Sequence, residues 1–276
     1  EVAATEFGCK VLGITLSPSQ LEFARARAER CGWADKVDFE LCDYRDVRGQ
    51  YDHVVSIEMI EAVGERFWPT YFAQLSALLK PGGRCVVQAI TIDDALFARY
   101  RRGTDFIQRH VFPGGLLPSP GAVAQQARGV GLDVVGDFAF GRDYARTLDA
   151  WCQAFEANLD KVRGMGFDER FIRKWRLYFR YCQAAFEHRN IGVVQAAQAG
   201  DHHMGEVLAD AALEVEGLDG AGVHRGGVIV VGEVAVDGEA EVHGGGIDRG
   251  TALDAVAGIG GDRPAQRNAR GGSEEM

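Results

Sequence analysis

The sequence lacks most of the short motifs by which enzymes are identified. It contains no G-x-S-x-G, no P-loop, no H-E-x-x-H and no G-x-G-x-x-G, so serine hydrolases, P-loop NTPases and zinc proteases lose their support. Its six cysteines form no C-x-x-C pair, which argues against a zinc site or a disulfide scaffold and suits a reduced compartment. No apolar run approaches the ~20 residues that a membrane-spanning helix needs. We therefore expect a cytoplasmic protein without a metal site.

Aromatic residues are absent from the last part of the chain. Every Phe, Tyr and Trp precedes residue 196, whereas residues 196–276 hold 18 of the 36 glycines and the whole formal net charge of −10. Such a segment lacks the bulk for a core of its own. We therefore divide the chain into a body, residues 1–195, and an acidic tail rich in Gly, Ala and Val, residues 196–276. The body has 25 acidic and 25 basic residues, and we expect no nucleic-acid partner.

Two origins of the tail are open. We hypothesise out-of-frame translation after Gln195, an idea that fails if no other reading frame of the coding DNA continues the strand predicted at 191–195. The alternative is a genuine flexible extension. Within the tail, residues 227–236 (GVIVVGEVAV) could form a strand or a hairpin.

The body alternates between predicted strands and helices, which indicates an α/β fold with a doubly wound, mostly parallel sheet. One helix begins with Ser17 as N-cap and Pro18 at its first position, and Gly32 ends it. The other predicted elements are strands at 10–16, 37–41, 53–57, 84–90, 132–140 and 191–195, helices at 67–79, 122–130 and 144–159, and an apolar helical stripe over 168–187.

Two acids follow the strand within residues 51–64 (YDHVVSIEMIEAVG). Ligands of open α/β sheets lie beyond the carboxyl ends of the strands, which places Glu58 and Glu61 for chemistry. The simpler interpretation is that both acids only start a helix, where the macrodipole favours negative charge. Polar groups also follow other strands, among them an acid-aromatic pair, Asp43-Tyr44. Such a set suits a nucleoside whose ring stacks on Tyr44, although these patterns do not name the ligand.

Six segments, in order along the body, resemble the cyclopropane-fatty-acyl-phospholipid synthase family, relatives of mycolic acid cyclopropane synthases. They are VLGITLSPSQ (11–20), DYRDV (43–47), SIEMIEAVG (56–64), LLKPGG (78–83), HVFPGGLLPS (110–119) and DYARTLDAW (143–151). The resemblance implies a Rossmann-like S-adenosylmethionine-dependent methyltransferase fold. It also implies an enzyme that adds a methylene group across a cis double bond of a membrane phospholipid acyl chain, with peripheral membrane contact. A homodimer is one assembly that we consider.

The same resemblance implies two sets of site residues. The first would bind S-adenosylmethionine: Thr15, Leu16, Ser17 and Gln20 on its ribose and methionine side, and Asp43 and Tyr44, with Arg45 adjacent, at the adenine. The second would hold a bicarbonate ion that removes a proton from a carbocation before the ring closes: Glu61, Gln88, Ile90 and Tyr144. Cys182 matches a family cysteine that is sometimes assigned a catalytic role, but its place on the apolar stripe favours packing.

The chain departs from the family pattern at several points. Many relatives carry histidines where this chain has Ala62 and Gln88, and a glutamine can donate a hydrogen bond but cannot carry a proton. The family's glycine-rich cofactor loop and first central strand would lie just upstream of Glu1. We therefore expect a sheet without that strand and poor binding of S-adenosylmethionine. The alternatives are a related methyltransferase that acts on another lipid or a small amine without ring closure, or the product of a degenerate gene that binds nothing.

Overall fold

The computed structural model describes residues 1–200 and, for the backbone, residues 227–232. One seven-stranded sheet, in the order β2-β1-β7-β3-β4-β6-β5, organises these residues. The strands are β1 (Lys10–Thr15), β2 (Val37–Leu41), β3 (Tyr51–Ile57), β4 (Leu79–Ile92), β5 (Leu132–Ala139), β6 (Ile191–Gly200) and β7 (Gly227–Gly232).

The strand directions confirm the predicted fold class. Strand β1 pairs in parallel with β2 and β7, and β3 pairs in parallel with β7 and β4. Strand β6 runs antiparallel between β4 and β5. The carboxyl ends of β1 to β4 therefore meet at one edge of the sheet, where ligands of such folds bind.

The centre of the sheet contains a segment of the tail. We expected a sheet without the family's first central strand, and between β1 and β3 the structure places β7, which pairs with both neighbours. The strand prediction within 227–236 is thus confirmed over 227–232, and its remaining residues lie outside the described ones. An unpaired β1 or β3 would present a row of free backbone groups, which explains why a β-branched segment is favoured there.

Ten helices surround the sheet within the described residues. Helix α2 begins and ends as predicted, since the Ser17 hydroxyl accepts the Gln20 N–H and Gly32 adopts a left-handed φ of 76°. The helices are α1 (Val2–Thr5), α2 (Pro18–Cys31), α3 (Ile60–Val63), α4 (Trp68–Ala77), α5 (Asp94–Tyr100), α6 (Phe106–His110), α7 (Pro120–Arg128), α8 (Gly141–Ala157), α9 (Leu159–Gly164) and α10 (Glu169–Glu187).

Two predicted strand boundaries were wrong, although both strands exist. Strand β4 begins at Leu79 rather than at residue 84, because Leu79 already pairs with Tyr51 of β3; Lys80-Pro81-Gly82-Gly83 forms an irregularity before the next pair, Arg84 with His53. Strand β6 does not stop at Gln195 but runs to Gly200, because its last residues still pair with β4 and β5. The change in composition after residue 195 is therefore not the end of an element.

The body has two large hydrophobic clusters. In the first, α4 and α7 pack on β3 and β4 around the fully buried Trp68, Tyr71 and Phe72. In the second, α8 and α10 pack against β6, and the apolar stripe of α10 supplies buried Phe179 and Phe186. The first cluster supports the strands that carry the predicted site, and the second holds α8, which carries Tyr144.

Candidate active site

The predicted site residues form two groups at the carboxyl edge of the sheet. The first group, which we call the cofactor edge, follows β1 and β2. It comprises Thr15, Leu16, Ser17, Gln20, Asp43, Tyr44 and Arg45. The second group, which we call the acid cluster, has two residues after β3, one residue within β4 and one residue from α8. It comprises Glu58, Glu61, Gln88 and Tyr144.

Glu58 lies at the centre of the acid cluster. It directly follows β3 with a left-handed φ of 51°, and its N–H donates to the Gln88 carbonyl over 2.9 Å. One carboxylate oxygen accepts hydrogen bonds from Gln88 Nε2 at 2.9 Å and from the Tyr144 hydroxyl. Because α3 begins only at Ile60, Glu58 is not a helix-start residue. The sequence pattern placed Glu58 at this strand end but indicated no definite role for it.

Glu61 is the second acid of the cluster. Its Oε1 accepts the Ile90 N–H at 2.5 Å, so Ile90 takes part through its backbone. Its Oε2 is buried and has no hydrogen-bond partner among the residues that the structure describes. Burial raises the pKa of Glu61 to about 7, despite backbone hydrogen bonds that lower it. At neutral pH this carboxyl group can therefore donate or accept a proton.

Tyr144 joins α8 to the acid cluster. Its ring contacts Phe140 and Phe186, with centroids 5.7 and 5.5 Å away. Burial, and next the neighbouring Glu58 carboxylate, raise the pKa of Tyr144, which keeps its hydroxyl protonated as a donor. The position of the Tyr144 hydroxyl in the cluster is therefore supported by two packed aromatic rings.

Gln195 is a site residue that sequence analysis missed. Its Nε2 donates to Gln88 Oε1 at 2.8 Å, which turns the Gln88 amide nitrogen toward Glu58. Residues 88 and 195 lie opposite each other only because β4 and β6 pair antiparallel in one particular register. The signal in the sequence was a polar residue at the end of the apolar run 191–194, which by itself names no partner.

The turn after β1 is a closed hydrogen-bonded unit. Thr15 Oγ1 donates to Gln20 Oε1 at 3.0 Å and accepts the Ser17 N–H at 3.1 Å, while Leu16 is 38% exposed. The Ser17 hydroxyl accepts the Gln20 N–H at 3.3 Å. These hydroxyl and amide groups fit the ribose and amino-acid parts of S-adenosylmethionine chemically, because each can donate or accept a hydrogen bond.

The side chains after β2 already contact other residues of the chain. Both oxygens of Asp43 accept hydrogen bonds from the Arg45 guanidinium, at 2.8 and 2.5 Å, which holds the pKa of Asp43 below its usual value. The Tyr44 ring packs edge-on against Tyr71, with centroids 5.8 Å apart. A hydroxyl that bound to the Asp43 carboxylate would therefore compete with the half-exposed Arg45.

Cys182 forms no hydrogen bond with the residues of the acid cluster among those that the structure gives, and its surroundings are apolar. It packs against the second hydrophobic cluster, and burial raises the pKa of its thiol to about 12. The group is therefore a neutral thiol at physiological pH rather than a nucleophilic thiolate. This placement agrees with a packing role.

Comparison with known proteins shows one family. Residues 1–196 match the family described as mycolic acid cyclopropane synthetase. The chain is 43% identical over 195 residues to tuberculostearic acid methyltransferase UfaA1 of Mycobacterium tuberculosis, covering 70% of this chain and 46% of that protein. It is 34% identical over 198 residues to cyclopropane-fatty-acyl-phospholipid synthase of Escherichia coli K12, covering 70% of this chain and 48% of that protein.

A solved structure agrees with the sequence relatives. The mycolic acid cyclopropane synthase CmaA1, complexed with SAH and CTAB, superimposes with a TM-score of 0.65 at 25% identity, covering 71% of this chain and 72% of that chain. The chain spans about half the length of the curated relatives that it matches. Among the described residues, no helix is both long and apolar enough to cross a membrane.

Proposed function

Because this chain belongs to the mycolic acid cyclopropane synthetase family of S-adenosylmethionine-dependent methyltransferases, we propose that it supplies the residues for one-carbon transfer to a cis double bond in a phospholipid acyl chain. The proposed product is a cyclopropane fatty acid. The observation that carries the proposal is the acid cluster, where Glu58 is bound by Gln88 and Tyr144 and Glu61 lies nearby, at the carboxyl edge of the sheet. S-adenosylmethionine, when bound, supplies the electrophilic methyl group that the alkene attacks.

The surroundings of the acid cluster suit a cationic intermediate. Methyl transfer to one alkene carbon leaves a positive charge on the other, and aromatic faces such as those of Phe140 and Phe186 stabilise a nearby cation. The proposed reaction also requires that water be kept away, because water would otherwise capture the cation. To close the ring, a base must remove a proton from the transferred methyl group while a bond forms between that carbon and the cationic carbon.

Glu58 is better supported than bicarbonate as the base that removes this proton. The donors that the resemblance assigns to bicarbonate, Gln88 and Tyr144, both hold the Glu58 carboxylate, and Ile90 N–H is bound to Glu61. A bicarbonate ion on the same donors would place a second anion against Glu58, so the residues as arranged do not fit it. The proposed role of bicarbonate is therefore replaced by the side chain that occupies its donors.

Removal of bicarbonate tests this assignment. We expect bicarbonate-free buffer to leave product formation unchanged and Glu58→Gln to reduce it at least 100-fold, because the amide cannot accept the proton. Dependence on bicarbonate that persists in Glu58→Gln would instead support the external ion. The assay needs a complete enzyme, for which this chain can be fused behind the N-terminal half of the Escherichia coli synthase.

One-carbon transfer without ring closure is the second candidate. The relative at 43% identity is named tuberculostearic acid methyltransferase. In addition, a carboxylate fixed on the protein can remove a proton from a different carbon of the cation than a small ion would. Expression of the fusion in an E. coli strain without its own synthase, followed by NMR of the extracted lipids, separates a cyclopropane ring from a branched chain. The native E. coli protein is the positive control. Unmodified lipids from the folded fusion would contradict both candidates.

Contact with a membrane surface is also a proposal. The basic residues Arg99, Arg101 and Arg102 lie in and just after α5, and each cation near an anionic surface contributes roughly 1 kcal/mol. Arg101 forms an ion pair with Glu65, which lowers its contribution. Sedimentation with vesicles of anionic and of neutral phospholipid would test whether charge directs the contact.

A further inference from the structure

Gln88 and Gln195 form a polar pair on the face of the sheet that packs against α8. They lie directly opposite each other on the antiparallel strands β4 and β6. Side chains in such positions are neighbours and interact. The next pairs on the same face are apolar, namely Val86 with Ala197 and Ile90 with Val193. A polar pair among apolar ones has its amide groups directed to a small set of polar partners.

The Gln88 amide is hydrogen-bonded at both of its ends. Its Nε2 donates to Glu58 Oε1 at 2.9 Å and to the Tyr144 hydroxyl oxygen at 3.1 Å. Its Oε1 accepts a hydrogen bond from Gln195 Nε2 at 2.8 Å. Both N–H groups of the amide are therefore used, and its oxygen has a donor of its own.

The reverse orientation of the Gln88 amide would be unfavourable. It would place Oε1 against the Glu58 carboxylate, where two acceptors oppose each other, and it would turn Nε2 toward Gln195. A glutamine side chain also rotates about several bonds, so the amide stays in one place only if its contacts restrict those rotations. A donor at position 195 favours the observed orientation, whereas an acceptor at that position would favour the reverse one.

We propose that Gln195 is a positioning residue for proton removal, because its donation to Gln88 Oε1 holds the Gln88 amide nitrogen against the Glu58 carboxylate. The proposal rests on the proposed function, in which Glu58 is the base. In that step the Glu58 carboxylate takes the proton, and the C–H electron pair forms the new carbon–carbon bond. Neither glutamine gains or loses a proton. Gln195 therefore acts through Gln88, by keeping the base in place.

The orientation of the Gln88 amide can be measured by NMR on the full chain. NOEs between the Gln88 side-chain amide protons and the Tyr144 ring protons are expected, because Nε2 lies 3.1 Å from the hydroxyl oxygen. Gln195→Glu only accepts hydrogen bonds and should weaken these NOEs about fivefold, whereas Gln195→Lys only donates and should keep them. The control for the added negative charge is Gln125→Glu on the exposed surface of α7, which should leave the NOEs unchanged.

A neutral variant separates the hydrogen bond from the charge. Gln195→Met is similar in length but can neither hold nor reverse the Gln88 amide, so the NOEs should weaken about twofold. This variant also carries the comparison if Gln195→Glu does not fold. Absence of the NOEs in the original chain, or equal NOEs in the original chain and Gln195→Met, would overturn the proposal.

The kinetics of the fusion with the N-terminal half of the E. coli synthase test the effect on the reaction. We expect kcat of Gln195→Glu to be about tenfold lower than kcat of Gln195→Lys, because displacement of a catalytic group slows the chemical step. KM should be alike in the two variants, since Gln195 positions the base and does not bind the substrate.

Equal kcat values in Gln195→Glu and Gln195→Lys would overturn the positioning role. Inactivity of the fusion that retains Gln195 would instead contradict the proposed function. The NOE comparison needs no activity, so it would still decide whether Gln195 orients the Gln88 amide.

Discussion

Glu58 combines an unfavourable backbone conformation with three stabilising hydrogen bonds. A left-handed φ of 51° costs a non-glycine residue about 1 kcal/mol or more. Hydrogen bonds to a charged acceptor contribute about 1.5–3 kcal/mol each, so those from Gln88 and Tyr144 offset this cost. The conformation of Glu58 therefore depends on a residue of α8, and the two side chains should be coupled energetically.

A double-mutant cycle tests this coupling. We expect Glu58→Gln and Tyr144→Phe to show an interaction energy of about 1–2 kcal/mol in the free energy of unfolding, measured by denaturant titration at pH 8. The matched control is the cycle of Glu58→Gln with Tyr71→Phe, because the Tyr71 hydroxyl donates to Ser56 instead. Coupling of the control pair as large as that of Glu58 with Tyr144 would contradict the direct contact.

Glu61 predicts a fall in stability toward higher pH. Its pKa of about 7 in the folded chain exceeds the ordinary value of 4.5, so the folded state keeps a proton that the unfolded state has lost. Stability is therefore lost between about pH 4.5 and pH 7, by up to about 3 kcal/mol. Glu61→Gln cannot ionise, so its free energy of unfolding should not show this loss. Between pH 5 and pH 8 the variant should therefore lose less stability than the original chain.

The exposed Glu22 on α2 provides the control for this experiment. Glu22→Gln should leave the pH dependence of the unfolding free energy as in the original chain. If Glu61→Gln changed stability by the same amount at pH 5 and pH 8, the raised pKa would be wrong.

At the scale of elements, the docking of α8 on β6 depends on one glycine. A Cβ on Gly141 would lie 3.1 Å from the Gly192 Cα and 3.3 Å from the Val193 N, both backbone atoms that cannot turn away. The close approach brings the first turn of α8, and with it Tyr144, to the acid cluster. Any side chain at position 141 must push the two elements apart.

Gly141→Ala should therefore destabilise the chain by about 1–3 kcal/mol, as overpacking does. It should also weaken the coupling between Glu58 and Tyr144. The double-mutant cycle of Glu58→Gln and Tyr144→Phe, repeated in the Gly141→Ala chain, measures this change. The comparison is Gly164→Ala in α9, where a Cβ would meet nothing within 4 Å, so no destabilisation is expected. Equal stability of the two variants would show that α8 does not approach β6 this closely.

At the scale of the whole molecule, we expect the chain of 276 residues to bind S-adenosylmethionine poorly. The family resemblance implies a glycine-rich loop whose backbone approaches the cofactor closely. The central strand β7 is followed in the sequence by Glu-Val-Ala-Val rather than by such a loop. Calorimetric titration should show no binding in the micromolar range, whereas a fusion with the N-terminal half of the E. coli synthase should bind. Micromolar binding by the chain alone would contradict this expectation.

Much of the body could be predicted because the relevant signals are local. Helix α2 is defined by a cap, a proline and a terminal glycine within one stretch. Glu61 was a candidate from its place just after a strand, and the family resemblance then selected it over Glu58. The central role of Glu58 was not predictable, because its partner Tyr144 lies 86 residues away in the chain. Gln195 was missed for the same reason, since only the antiparallel register of β6 places it beside Gln88.

The amino-acid sequence by itself determined the family, the α/β alternation and the strand ends at which the chemistry lies, since patterns of a few residues carry that information. Only the tertiary structure decided which side chain occupies the Gln88 and Tyr144 donors, and which segment fills the centre of the sheet. Both outcomes depend on contacts between distant parts of the chain, where burial and hydrogen-bond geometry select one partner among several of similar chemistry. The segment 227–232 is an example. Its β-branched residues favour a strand, but only its pairing with both β1 and β3 shows where in the sheet that strand lies.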